Sequence, residues 1–340
     1  MPSVLSRLRS LFARSDDSYA ARLRSEIETY RDCVDVNDLP QIFHYWSNKY
    51  LAPKFAKLGF SHPDEFFAKY LHESAPQVGG PAAFASVGAG NCDTEVRVAK
   101  LLRHRGLANF TIECLDINAD MLKRGRDLAD AEGVGDAVLF TEADFNRWSP
   151  RKRYHAVMAN QSLHHVVNLE GLFDAVHRAI DGGGSFVVSD IIGRNGHQRW
   201  PEALEIVQEF WQELPQAYRY NRQLKRQEER FLDWDCAVGT FEGIRAQDIL
   251  PLLVERFEFD VFAPFANLID PFIDRGFGHN FDAQAEWDKG FIDRVHARDE
   301  EEIRLGRIKP THMMAVMLVG GSAREEYLDG LSPRGCIRLT

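Results

Sequence analysis

Two glycines one residue apart, Gly88 and Gly90, close an apolar run in FASVGAGNCDTE and precede a stretch that can open a helix. Glycine has no Cβ, so the backbone there can pass close to a ligand, and the first turn of the following helix offers unpaired amides. Asn91 shares this turn and joins the candidate binding residues. Two acids then follow at the ends of the next two apolar runs. Asp116, in CLDIN, stands where a carboxylate can accept both hydroxyls of a ribose, and Asp144, in EADF, where one can accept from the exocyclic amine of adenine. The ligand chemistry is that of an adenosine derivative.

Two ligand classes use this geometry: dinucleotides and S-adenosylmethionine. The third glycine of the dinucleotide pattern would fall at Asp93, where an acid would face a diphosphate. An acid after the second strand serves either ligand, so Asp116 alone does not discriminate.

Acid–base chemistry has a narrower set of candidates. His165 and His164, in ANQSLHHV, follow the fourth apolar strand, where donor and acceptor should meet. Either is a candidate general base for an alcohol acceptor, and packing is the alternative role. His44, His279 and His312 lie in flanking segments.

The elements that must position these residues begin at Ala82. AAFASVGAG, FTIECLDI, AVLFTEADF, YHAVMANQSLHHV and GSFVVSDIIG read as strands, and DTEVRVAKLLRHRG, NADMLKRGRDLADAEG and LEGLFDAVHRAI as helices between them. Asn118 is a plausible N-cap, and Gly106 and Gly133 stand past helix ends. Such alternation predicts an α/β fold with a doubly wound, mostly parallel sheet and helices on both faces, its ligands bound at the carboxyl ends of the strands. A helical cap rich in aromatic residues (18–80) precedes this core (81–193). A helical segment (194–245) follows, with RWPEALEIVQEFWQELPQAYRYNRQLKRQEER read as a long helix. The sheet is completed by 246–265 and 311–321, with 266–310 inserted between them and 322–340 as a tail. The insertion and the 194–245 segment are expected to act as substrate lids. Arg245 and Arg275 are candidates for an anionic acceptor, although paired or solvated arginines are the simpler expectation.

With SVGAGNC, CLDINADML, EADF and ANQSLHHV in place, the chain resembles the class I S-adenosylmethionine-dependent methyltransferases over about 81–193 and through the closing strands. That resemblance implies a Rossmann-like fold with the last strand antiparallel, and S-adenosylmethionine as cofactor. It also implies that Gly88 and Gly90 line the methionine and ribose, Asp116 holds the ribose, and Ile117 and Phe145 sandwich the adenine. Asp144 would read the adenine amine and Asn160 would contact the methionine end. Two positions depart from the family pattern: Ser86 stands where an acid is common and Cys92 where a third glycine is common. Asp93 or Glu95 are the candidates to replace that acid.

Composition bounds the rest. The chain has 340 residues, 44% of them hydrophobic, and a formal charge of −10, which argues against a nucleic-acid partner. Five cysteines without a CxxC pair suggest neither a metal site nor a disulfide framework and fit a cytoplasmic protein. No apolar run reaches the ~18 residues that span a bilayer. The basic amphipathic segment 1–17 could lie on an anionic membrane surface or dock on a partner. The oligomeric state is not legible. The expected reaction is methyl transfer to a small or medium-sized acceptor, with O-methylation favoured by the histidines. A nicotinamide-dependent oxidoreductase and a catalytically silent protein of the same fold are the rival readings.

Overall fold

Short apolar runs alternating with amphipathic helices can bury both faces of each strand only in a central parallel sheet covered on both sides. The chain folds in this way. The computed structural model describes residues 19–24, 27–28, 39–76 and 80–339, and the amphipathic segment 1–17 lies outside them. The strands are β1 (Ala82–Val87), β2 (Phe110–Asp116), β3 (Val138–Glu142), β4 (Tyr154–Asn160) and β5 (Ile180–Ile191). There follow a two-residue hairpin, β6 (Tyr220–Asn221) and β7 (Arg226–Gln227), then β8 (Glu258–Phe265), β9 (His312–Leu318) and β10 (Glu326–Tyr327).

The main sheet has eight strands in the order β10-β8-β9-β5-β4-β1-β2-β3. β9 runs antiparallel to both neighbours, β5 and β8, while the other pairings are parallel. The expected reversal near the chain end is therefore internal, and the short β10 adds an edge strand that the sequence pattern did not reveal. Strand order reverses at β1, which pairs with β2 on one side and β4 on the other. Open α/β sheets bind ligands at such a switch point.

Alternation along β1 divides the two cores. Ala82 and Phe84 belong to a core that also holds Val98 and Leu102 of the helix Asp93–His104. Ala85 and Val87 belong to the opposite one, with Leu172 and Val176 of the helix Leu169–Ala179. This is the period-two signature of a strand buried on both faces. Helix ends follow the sequence expectation. The Asn118 side chain accepts from the amides of Asp120 and Met121, and Gly106 and Gly133 take positive φ of 88° and 71°.

One expectation is corrected, and the insertion gains a structure of its own. The long helix ends at Glu213, because Leu214 precedes Pro215 and the proline ring pushes it to extended backbone (φ −69°, ψ 133°). The rest of that segment is a 3₁₀ turn and the β6–β7 hairpin. The insertion 266–310 is a packed element containing the 19-residue helix Glu286–Arg304, with Phe291, Ile292 and Val295 fully buried. That helix docks on the cap helix Gln41–Trp46 and the turns after it. Trp46 Nε1 donates to His296 Nδ1 at 3.2 Å, and the Tyr45 and Tyr50 hydroxyls both donate to Asp293 Oδ1, at 2.9 and 2.7 Å. Burial lowers the His296 pKa to about 4, so its Nδ1 remains an acceptor. Cap and insertion thus form one helical layer. Among the described residues, no helix is long and apolar enough to cross a membrane.

Candidate functional site

The residues singled out for chemistry gather at the carboxyl ends of β1 to β5. Gly88 and Gly90 have φ of 70° and 55°, in the left-handed region that favours glycine. The reason for glycine differs at the two positions. A Cβ on Gly88 would fall 2.5 Å from Ser162 Cβ, a side chain held there by its hydroxyl donating to the Val87 carbonyl at 2.7 Å. A Cβ on Gly90 would meet the end of the flexible Met121 side chain at 3.3 Å, so only there does the turn keep room on its ligand face.

Asp116 ends β2 and joins it to the turn. Its Oδ2 accepts the Gly90 amide and its Oδ1 the Asn118 amide, both at 2.8 Å. Burial raises its pKa, and the backbone amides of Asn118 and Gly90 oppose that shift. Each oxygen retains a further acceptor site. Next to it, Ile117 is half-buried, and Phe145 reaches to 3.7 Å of the position a Gly88 Cβ would take.

Asp144 lies two residues past the end of β3 rather than in it, because it caps the 3₁₀ turn Phe145–Arg147 by accepting the Asn146 amide at 2.9 Å. Both of its oxygens also accept the Tyr19 hydroxyl, at 3.0 and 3.1 Å. Tyr19 belongs to a helical stretch that crosses the site. In it, Arg22 donates to the Thr240 carbonyl at 2.8 Å, and the Tyr19 ring lies 5.5 Å from that of Phe241. The other two predicted binding residues serve the scaffold with their side chains: Asn160 Nδ2 donates to Thr94 Oγ1 at 3.1 Å, and Asn91 Oδ1 accepts from Arg124 Nε at 2.9 Å.

Ser86, in the position where the family pattern has an acid, donates to Glu95 Oε1 at 2.6 Å, and both residues are buried. A carboxyl group is therefore present beneath the turn, supplied by the helix instead of the strand. Asp93, the other candidate, is half-exposed at the helix start.

His164 and His165 occupy the 3₁₀ turn Leu163–His165. The buried His164 Nδ1 lies 2.6 Å from Asp190 Oδ1, while Asp190 Oδ2 accepts the amides of Ser162 and Leu163 at 2.9 and 2.7 Å. Burial favours the neutral ring, yet the Asp190 and Glu242 carboxylates outweigh it and raise the His164 pKa to about 10. By itself this ring holds its proton at neutral pH. That disfavours it as the general base expected from its position. His165 Nε2 lies 3.4 Å from Glu242 Oε2 and is half-buried.

Asp190, His197, Glu242 and Tyr19 escaped the sequence reading. Only Asp190 carried a local signal, as an acid inside the apolar run VVSDII. Arg245 pairs with Glu170 through two bonds of 2.6 and 2.8 Å and with Asp248 at 2.8 Å, and Arg275 lies 3.5 Å from Asp274. His44 and His279 are exposed, and His312 stacks on Phe265.

Residues 85–184 match the family described as methyltransferase domain. Over that stretch the chain is similar to a methyltransferase domain. Over 116 residues it is 27% identical to malonyl-[acyl-carrier protein] O-methyltransferase 2 of Ilyobacter polytropus, covering 34% of this chain and 42% of that protein. Over 89 residues it is 28% identical to the ubiquinone/menaquinone biosynthesis C-methyltransferase UbiE of Methylococcus capsulatus, covering 26% and 36%. This chain thus spans less than half the length of either relative. The solved [4+2]-cyclase SpnF aligns over 76% of this chain and 82% of its own at 13% identity and a TM-score of 0.44. The methyltransferase domain includes the glycine turn, Asp116, Asp144, Asn160 and both adjacent histidines. Tyr19, His197 and Glu242 lie outside it.

The donor set fits S-adenosylmethionine, the cofactor of this family. The turn at Gly90 is open, and beside it Asp116 keeps acceptor sites for hydroxyls.

Proposed function

We propose that this chain transfers a methyl group from S-adenosylmethionine to a small or medium-sized acceptor. The observation that carries the reading is the bond between Asp116 and the Gly90 amide, which fixes a carboxylate against the open glycine turn at the strand-order switch. When bound, S-adenosylmethionine supplies a methyl group already activated by its sulfonium. The work left to the chain is binding, alignment and exclusion of water, and alignment is worth ~7 kcal/mol or more in well-oriented model reactions.

In this reading Asp116 accepts the ribose hydroxyls, and Ile117 and Phe145 flank the adenine. Asp144 takes the adenine amine, and Gly88, Gly90, Asn91 and Asn160 define the methionine end chiefly through the backbone. The acceptor enters beside His165, beneath the cover made by the Tyr19 stretch and the loop around Glu242. O-methylation remains the favoured chemistry, because imidazoles and a carboxylate converge where an acceptor hydroxyl would need to be oriented and relieved of its proton. The relatives include an O- and a C-methyltransferase by name and so do not choose between those chemistries.

Calorimetric titration of the purified chain with S-adenosylmethionine, S-adenosylhomocysteine and NADH tests the cofactor. Binding of the first two without the third is expected, and tight NADH binding with no response to S-adenosylmethionine would overturn the reading. Turnover against a panel of hydroxyl, amine and carbon acceptors tests the acceptor class. Exclusive use of amines or carbon nucleophiles would overturn the preference for oxygen.

A further inference from the structure

Three imidazoles converge on one carboxylate at the acceptor side of the site, and they come from three separate loops. His164 and His165 follow β4, His197 follows β5, and Glu242 lies on the loop before the helix Ala246–Arg256. Glu242 Oε1 is 3.4 Å from His164 Nε2 and 2.7 Å from His197 Nε2, and its Oε2 is 3.4 Å from His165 Nε2. Ligand atoms of His164, His165 and Glu242 all lie within 4.8 Å of one another.

We propose that His164, His165 and Glu242 form a binding site for a divalent transition-metal ion of the zinc class, with a coordination position left for an oxygen atom of the acceptor. Ligand chemistry is the first support. Two imidazole nitrogens and a carboxylate oxygen form a donor set suited to zinc and its first-row neighbours, and three protein ligands leave the fourth tetrahedral position open. Spacing is the second. Two ligands each about 2.0–2.1 Å from a tetrahedral zinc stand roughly 3.3–3.4 Å apart; His164 Nε2 is 3.4 Å from Glu242 Oε1 and His165 Nε2 is 3.4 Å from Oε2, so each ring stands at ligand spacing from the carboxylate oxygen that it faces.

The surrounding shell is the third support. Metal-bound histidines commonly give their other ring nitrogen to a carboxylate, which fixes ring orientation and tautomer. His164 Nδ1 does so to Asp190 at 2.6 Å, and Asp190 is itself held by the amides of Ser162, Leu163 and Ile191. His197 plays the matching part on Glu242. The two carboxylates, Asp190 and Glu242, carry the charge that a divalent ion would balance.

The loops are clamped to hold this arrangement. The Gly196 amide donates to the Gly243 carbonyl at 2.9 Å, and the Ile244 amide to the His164 carbonyl at 3.1 Å. His197 has a left-handed backbone, φ 55°, an uncommon conformation for a residue with a side chain that recurs at functional sites. Before it, Gly196 has no room for a Cβ, which would fall 1.9 Å from Asp235 Oδ1. His164 and His165 lie inside the matched stretch 85–184, and His197 and Glu242 outside it, so the site joins the two parts of the chain. Its role in orienting an acceptor oxygen rests on the methyltransferase reading; metal binding itself does not.

The test uses the full chain, free of affinity tags, stripped with a chelator and titrated with Co²⁺ followed by absorption in the visible d–d region and by calorimetry. Uptake of one equivalent with an intense tetrahedral-type spectrum, displaced by Zn²⁺, is expected. Glu242→Gln and His165→Ala should each weaken uptake by about 100-fold or more, and His197→Ala, an orienting partner, by about 10- to 100-fold. The exposed His104→Ala should leave uptake unchanged. No stoichiometric uptake by the unmodified chain would overturn the proposal, as would uptake indifferent to both Glu242→Gln and His165→Ala. S-adenosylmethionine titration of the same stripped sample separates the two readings. Cofactor binding without metal uptake sinks the metal site alone, and metal uptake without cofactor binding sinks the acceptor role alone.

Discussion

Ser86 donates its hydroxyl to Glu95 at 2.6 Å beneath the glycine turn, so that a strand residue and a helix residue together supply the acid that the family pattern puts on the strand. Burial raises the Glu95 pKa to about 7, with Asp93 reinforcing the shift and Ser86 and Arg97 opposing it, in a setting that also contains Cys92 and Cys114. Because the folded state binds this proton more tightly than the unfolded chain, stability falls as pH rises from the ordinary glutamate range through about 7. The loss across that window is on the order of 3 kcal/mol. Glu95→Gln, which keeps a neutral side chain, should flatten this slope and gain relative to the parent at pH 8. Urea denaturation of both proteins from pH 5 to 8 measures it. Buried Asp299, whose pKa is also raised to about 7, adds a parallel slope to both and cancels in the difference. Identical pH profiles would refute the prediction.

Asp116 and His165 should separate in donor binding. Asp116→Ala removes the acceptor for the Gly90 and Asn118 amides as well as the proposed ribose contact. S-adenosylmethionine affinity is expected to fall at least about tenfold, against less than about threefold for His165→Ala. Calorimetry on both variants decides, and the reverse ranking would mean that the turn does not hold the ribose.

Tyr19 holds both oxygens of Asp144, the group proposed to read the adenine amine. Tyr19→Phe removes that rival donor while keeping the ring. Donor affinity should rise about threefold to tenfold, the worth of one net hydrogen bond. Equal or weaker binding in the same titration would show that the hydroxyl does not compete.

Gly88→Ala should cost on the order of 3 kcal/mol, combining left-handed backbone strain with the collision against Ser162 Cβ. Ser162→Gly in the same chain should recover the steric part, though it loses the bond to the Val87 carbonyl. Urea unfolding of the single and double variants tests this. A double variant no more stable than Gly88→Ala would place the cost in the backbone alone.

Local pattern made the sheet legible. Each strand and helix from Ala82 to Ile191 announces itself within a dozen residues, through an apolar run, a capping Asn118 or a closing glycine, and Asp116 follows from its place at the end of β2. The helix end at Glu213 was equally readable from Pro215, but the amphipathic pattern beyond it outweighed that signal. The His164–Glu242 pairing had no such sign. Its partners lie 78 residues apart by number, and loops rather than periodic elements carry them. Asp190 was hidden for a different reason: as one residue in an apolar strand it reads as an exception, and only the fold brings His164 against it. The helix within the 266–310 insertion was not legible, because its buried face is defined by the distant cap and not by its own neighbours.

The junction of Trp46 with His296 spans 250 positions. Contacts of such long sequence separation form late, since their loop-closure entropy must be met before they contribute. During synthesis the cap therefore emerges well before its partner helix, and its buried aromatic side chains, Trp46 and Phe55 among them, need transient shelter until the last third of the chain leaves the ribosome. Shortening this protein from its carboxyl end would unmask that apolar layer even where every residue of the methyltransferase domain is retained.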